Sequence, residues 1–441
     1  LRRPWVSQSI DSLQTTVLRL CSVVVNLMFG MVAARLLGAE SFGTYASWMA
    51  ITGFLSVAVS VGLPSLITRE VASARGSGVT DALTPLAQFG AVVLVVGFVA
   101  VLASLAAPSR GLTVVLATTL SFSLVTLLAG AACGHERVVF ANWMNVIVRP
   151  LVALATLVLL AQFVPPTYET ALLTQLIGAV VASLLLLLAW KPYDIWAGMR
   201  DALTSRWWSP RHLTVARMGV VFAVSQLLIN ATTQLDVLIL SAIAAPEDVA
   251  HYYAAARAAL VVSFFCGANA AMAEPKLARL YAAGQMDEFT SVIRTTGLIG
   301  AAMAIASSAA ALAIAPYYFA FYGPSFAAGL PCLVLLVIGL IGWSLFGPAQ
   351  VALRATGREK NVVYATAIAL VVNCIVSVTL IPFVGILGAA IGTTAQFLVY
   401  GALMAYMLYS SRGLRPDLFH RAILQPLSGG APVAVGQDSK P

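Results

Sequence analysis

The chain has 441 residues, of which 60% are hydrophobic and only 10% charged, with a formal net charge of +8. Water-soluble domains carry about 25% charged residues, so this chain cannot cover a surface that faces water, and lipid must be its solvent over most of that surface. The basic excess does not point to nucleic acid: Lys and Arg fall in short segments between apolar runs, where anionic lipid headgroups are the expected partner.

A membrane-spanning helix needs about 20 mostly apolar residues. Twelve such runs are predicted, at 12–37, 42–66, 83–107, 111–132, 139–162, 168–190, 218–244, 250–273, 291–315, 327–351, 361–382 and 385–409. The chain opens on Leu1, so a short preceding start is expected. The first run is too long for a signal peptide and lacks a small-residue cleavage site, which makes it the first span. Counting from the N-terminus, the even-numbered loops and both termini hold 20 of the 25 Lys and Arg residues, whereas the opposite loops hold only Arg110. Basic loops stay in the cytoplasm, so both termini are expected inside. The long basic segment 191–217 divides the chain into an N-terminal lobe (1–190) and a C-terminal lobe (218–410), with a cytoplasmic tail at 411–441. The expected fold is therefore an all-α integral membrane protein with about 12 transmembrane helices in two pseudo-symmetric six-helix lobes.

Polar residues inside spans are costly and mark partners or wet cavities. In the first span, Arg19 shares a helical side with Ser22, Asn26 and Gly30, while Arg35 near the outer end is read as a snorkelling, structural residue. The fifth span carries Arg149 with Asn142, Asn145 and Thr156 on one face within about 60°, at 100° per residue; Pro150 follows and is expected to kink the helix. The seventh span presents Gln226, Asn230, Thr233 and Gln234 on one broad face, with Asp236 at its edge. Asp236 is the only acid well inside a span, and Arg257 in the next, antiparallel span lies at similar depth, so an Asp236–Arg257 ion pair is expected. Three deep arginines (Arg19, Arg149, Arg257) against one acid predict a cationic shared cavity suited to a phosphate or pyrophosphate headgroup. For Asn and Gln, hydrogen-bonded contact between helices is an equal alternative to cavity lining.

The two halves resemble each other. Gly134-His135-Glu136-Arg137-Val138-Val139-Phe140-Ala141 follows the fourth span, and Gly357-Arg358-Glu359-Lys360-Asn361-Val362-Val363-Tyr364-Ala365 follows the tenth. Both halves start on the same side, so the repeat is parallel, as in two-lobed transporters that bind substrate between lobes. No GxxxxGK[ST] motif occurs, which excludes ATP hydrolysis by this chain. HExxH and a Ser-His-Asp set are equally missing, the outer loops are too short for a catalytic domain, and the five cysteines form no CxxC pair. Neither an enzymatic activity nor a metal or other cofactor is expected.

The stretch Arg35-Leu36-Leu37-Gly38-Ala39-Glu40-Ser41-Phe42-Gly43-Thr44-Tyr45 resembles the first loop of bacterial polysaccharide repeat-unit flippases (Wzx-type). Further resemblance lies in Glu274-Pro275-Lys276-Leu277, in Tyr322-Gly323-Pro324-Ser325-Phe326, and in Ile381-Pro382-Phe383-Val384-Gly385-Ile386-Leu387-Gly388-Ala389-Ala390. These flippases belong to the superfamily of the MATE exporters and the lipid II flippase. The resemblance implies a MATE-like fold, alternating access in the bacterial inner membrane, and a substrate made of an oligosaccharide on undecaprenyl pyrophosphate. It also implies cavity arginines that hold the pyrophosphate, matched in position by Arg19 and Arg257; Arg149 rests on its polar stripe alone. The expected partners are the lipid-linked oligosaccharide, membrane lipids, and a polysaccharide polymerase with its chain-length proteins. A cation-coupled drug or metabolite exporter of the same fold is the alternative, with Asp236 as the candidate coupling residue; it would favour acids deep in the N-terminal lobe, and none is found there.

Overall fold

A computed structural model describes residues 4–60, 62–73, 79–105, 110–134, 137–189 and 210–412. The predicted linker up to residue 209 and the tail beyond 412 lie outside the described residues. Every described element is helical. In hydrocarbon, backbone N–H and C=O groups find no water, and an α-helix satisfies them within one segment.

The N-terminal half contains α1 (Pro4–Ser60), α2 (Leu63–Ser73), α3 (Val79–Leu105), α4 (Arg110–Gly134), α5 (Val138–Asn142), a π-helical turn (Trp143–Val148), α6 (Arg149–Leu160) and α7 (Tyr168–Ala189). The C-terminal half contains α8 (Pro210–Ile243), α9 (Pro246–Ala282), α10 (Met286–Tyr322), a 3₁₀ turn (Pro324–Gly329), α11 (Leu330–Leu345), α12 (Ala349–Ala355), α13 (Glu359–Val384) and α14 (Ile386–Arg412). Ten of the described helical stretches are long and apolar enough to cross a membrane. One of them, α1, is two spans in succession, bent at Gly38, whose φ of 76° is open to glycine and strained for residues with a Cβ. With α3 this accounts for the twelve predicted spans. Two predicted spans are shorter than expected: the second gives way at Gly62 to the short helix α2, and the tenth breaks at Gly347 between α11 and α12.

The two halves meet where α1 bends. Phe42 and Tyr45 are buried there, and Phe42 packs against Tyr253, Tyr322 and Phe326 of the other half with ring centroids 5.8, 6.0 and 6.1 Å away. Edge-on and tilted rings at these distances attract through their quadrupoles beyond the area they bury. Arg35, read from the sequence as structural, donates from Nε to Phe321 O (2.8 Å) and from Nη2 to Ala320 O (3.2 Å), satisfying terminal carbonyls of α10.

The glycine with the least room in this seam is Gly43, where an added Cβ would sit 1.7 Å from Pro246 O. No residue but glycine allows α1 and α9 to approach so closely. Gly43→Val is expected to destabilise the protein by at least about 1–3 kcal/mol, the usual cost of overpacking. Thermal unfolding in detergent measures it, and an unchanged midpoint would mean that the two backbones do not touch there.

Candidate functional site: a charged cavity in the C-terminal half

A cavity of about 700 Å³ lies within the C-terminal half, walled by α8, α9, α11, α12, α13 and α14. Asp236 and Arg257 line it, and so do Arg354 and Glu359, beside the basic loop that follows the tenth predicted span. Two cations thus face two acids. The expected excess of positive charge is not found in this cavity, because it runs along one lobe toward a charged loop instead of gathering the deep arginines of both lobes.

The expected Asp236–Arg257 ion pair is also absent among the described residues. Asp236 is buried and accepts hydrogen bonds from the Tyr252 hydroxyl, from Thr393 Oγ1 (3.3 Å) and from the Val237 N–H (2.8 Å). These donors take the place that the guanidinium was expected to fill. Tyr252 precedes Arg257 by five residues on α9, about 7.5 Å along the helix, so the depth match that suggested Arg257 applies better to Tyr252. Arg257 instead lies over the Tyr253 ring, 4.4 Å from Cζ to the centroid, and reaches Gln234 Oε1 at 3.4 Å. A ring face and one long amide contact solvate a guanidinium without neutralising it.

Sequence reasoning missed the polar residues of α13 and α14 that continue this network. Asn373 donates to Gln396 Oε1 (2.6 Å), Ser377 donates to Asn373 Oδ1 (2.8 Å), and Gln396 donates to Thr232 O (3.4 Å). Buried polar groups in lipid require such partners. Asn373/Ser377 and Thr393/Gln396, at helical spacing in otherwise apolar spans, were the available signal.

The other predicted residues are dispersed. Arg149 stands over Phe122, 4.3 Å from Cζ to the ring centroid, and its buried Nε has no hydrogen-bond partner. It starts α6 directly after the π turn, whose wider pitch breaks the 100° register assumed for Asn142, Asn145 and Arg149. Pro150 supplies a reason: it cannot donate to Val146 O, and its ring would clash with that carbonyl in an unbroken α-helix. The expected kink therefore takes the form of a π turn, a feature that recurs at functional sites. Tyr45 is buried in α1, and its hydroxyl accepts from Gln175 Nε2 at 3.1 Å. Asn26 and Asn230 turn back onto their own helices, donating to Ser22 O (2.7 Å) and Gln226 O (3.1 Å). Gln226 and Asn230 are not in the cavity wall; on α8 its polar lining is Ser225, Thr232, Thr233 and Asp236, with Leu228, Ile229 and Val237 between them. Arg19 lies in α1, with its side chain outside the described residues.

Residues 11–279 match the family described as polysaccharide biosynthesis protein, well over half of the chain. The chain belongs to the polysaccharide biosynthesis protein family. Residues 222–379 also match the MatE family. A relative in Bacillus subtilis (strain 168), the uncharacterized membrane protein EpsK, is 24% identical over 438 residues, covering 93% of this chain and 84% of its own length. Among solved structures, an inward-facing multidrug resistance MATE family transporter of the MOP superfamily superposes with a TM-score of 0.74 at 15% identity, covering 90% of this chain and 98% of that one. The lipid II flippase MurJ, in an inward closed conformation, superposes with a TM-score of 0.67 at 12% identity, covering 89% of this chain and 87% of that one. The chain is thus a multi-pass membrane protein built on the transporter fold of this superfamily, as its sequence motifs implied.

Proposed function

We propose that this protein flips an undecaprenyl-pyrophosphate-linked oligosaccharide across the bacterial inner membrane by alternating access, in surface polysaccharide biosynthesis, with both termini in the cytoplasm. The observation that carries the reading is the state of Arg257, a guanidinium in a cavity wall with no carboxylate in salt-bridge distance, because hydroxyl groups already engage the one deep acid. A guanidinium in a cavity wall with no carboxylate at salt-bridge distance can receive an anion, and its planar fork suits the oxygens of a diphosphate. Arg149, whose Nε lacks a partner, is a further cation in the other half, outside this cavity, that the substrate meets in another state of the cycle. Arg19, Asn26, Asn142, Asn145, Gln226 and Asn230 act in other states of the cycle, when the halves separate. Asp236 is the coupling residue, since a buried carboxylate held by hydroxyl donors changes partners when a cation or proton arrives.

Deletion followed by leaflet-resolved lipid analysis tests the proposal. Lipid-linked oligosaccharide is expected to accumulate on the cytoplasmic leaflet and to return to normal with the wild-type gene; a normal outer-leaflet pool in the deletion strain rejects it. The MatE match over residues 222–379, together with the buried Asp236, favours a second reading, a cation-coupled exporter of small molecules. That reading predicts unchanged lipid-linked sugar and raised sensitivity to exported compounds.

A further inference from the structure

The anion receptor explains one corner of a 700 Å³ cavity and leaves the rest without a role. Its volume falls in the range of about 300–1,000 Å³ typical of small-ligand sites. Trp343 of α11 and Phe397 of α14 stack in its wall, with centroids 6.5 Å apart and rings inclined by 28°. Tyr253, the platform of Arg257, adds a third aromatic face. Two polar groups in this wall are uncommitted: neither the Trp343 indole N–H nor the Gln350 side-chain amide has a hydrogen-bond partner among the described residues. The charged groups lie toward its two ends, Arg257 and Asp236 on α9 and α8 and Arg354 and Glu359 beside the loop that follows the tenth predicted span.

These features select among ligands. A prenyl chain would strip water from four charged groups and two free amide or indole donors and return nothing to them, which is costly for each. With Arg257 taken by the diphosphate, a further anion would face Asp236 and Glu359 as well as Arg354, and a cation would face Arg354 as well as these two acids. A neutral, hydroxyl-rich ring with an apolar face matches all of it: its C–H face lies on the aromatic rings, and its edge exchanges hydrogen bonds with Gln350, the indole N–H and the charged groups. We infer that this cavity is a carbohydrate subsite, which receives the sugar next to the diphosphate while Arg257 holds the diphosphate itself. The inference rests on the flippase reading and adds to it a location and a recognition chemistry for the sugar.

The test uses the purified full-length protein in detergent. The probes are geranylgeranyl diphosphate and its conjugates with one glucose, galactose or N-acetylglucosamine. The wild type is expected to bind at least one conjugate about tenfold or more tighter than the bare diphosphate lipid, a difference of about 1.4 kcal/mol. Trp343→Leu, which keeps bulk without an aromatic face, and Gln350→Ala are each expected to erase most of this increment and to leave the bare lipid within about twofold of wild type, where about 0.4 kcal/mol separates the two. Trp343→Phe should retain it. Thermal unfolding reports whether each variant is folded, and Gln350→Ala decides if Trp343→Leu is not. The subsite is rejected if no conjugate outcompetes the bare lipid, or if the increment survives both substitutions. Equal loss for bare and conjugated lipid also rejects it, since the cavity would then hold the prenyl diphosphate. Failure of the wild type to bind even the bare diphosphate would remove the flippase reading and the subsite together.

Discussion

Arg257→Ala is expected to weaken binding of a diphosphate lipid by roughly 10- to 150-fold, corresponding to about 1.5–3 kcal/mol for hydrogen bonds to a charged group. The loss should appear in affinity and in complementation of a deletion strain, with protein levels maintained. Folding should suffer little: the guanidinium makes one long contact to Gln234 and rests on one ring, so alanine breaks no ion pair. Arg257→Lys separates charge from geometry. A lysine keeps the cation but loses the planar fork that stacks on Tyr253, so an intermediate affinity is expected. Wild-type binding by Arg257→Ala would show that the anion is held elsewhere, and Arg149→Ala would then be the variant to measure.

The second large effect is expected at Asp236, and its form follows from the hydrogen bonds. The Tyr252 hydroxyl and Thr393 Oγ1 both donate to the carboxylate and lie 3.1 Å from each other. In Asp236→Ala one hydroxyl can turn and donate to the other, which leaves one buried donor without an acceptor and a small void. A destabilisation of about 1–3 kcal/mol is expected from the orphaned donor. Asp236→Asn retains an acceptor oxygen and should unfold closer to wild type. It cannot exchange a proton or neutralise a cation, so transport in proteoliposomes should lose its dependence on a proton or sodium gradient. A stable Asp236→Asn protein that still follows the gradient would assign coupling to another group.

The parts of this structure that follow from solvent were legible in the sequence. Hydrocarbon selects long apolar helices, and the twelve runs appear where hydropathy placed them. Their interruptions were harder to see, because Gly38, Gly62 and Gly347 act through φ angles that composition does not report. The site was only partly legible. Arg257 and Asp236 could be picked out because charge is rare in lipid, and both are in the cavity wall. Their mutual arrangement could not be read from depth alone, since a neutral tyrosine one turn and a half away competed for the same carboxylate. The fifth span shows a different failure. Its polar stripe was drawn at a constant 100° per residue, and the π turn at Trp143–Val148 changes the rotation between Asn142 and Arg149.

The seam at Gly43 has a consequence for the cell's energy supply. A membrane transporter open at both mouths at once would discharge the proton-motive force through itself. Phe42, Tyr322 and Phe326 are buried against one another across the seam, and beside them Gly43 lets the backbones of α1 and α9 meet. Variants that cannot close this seam should therefore harm growth by current leakage, even in strains that need no surface polysaccharide.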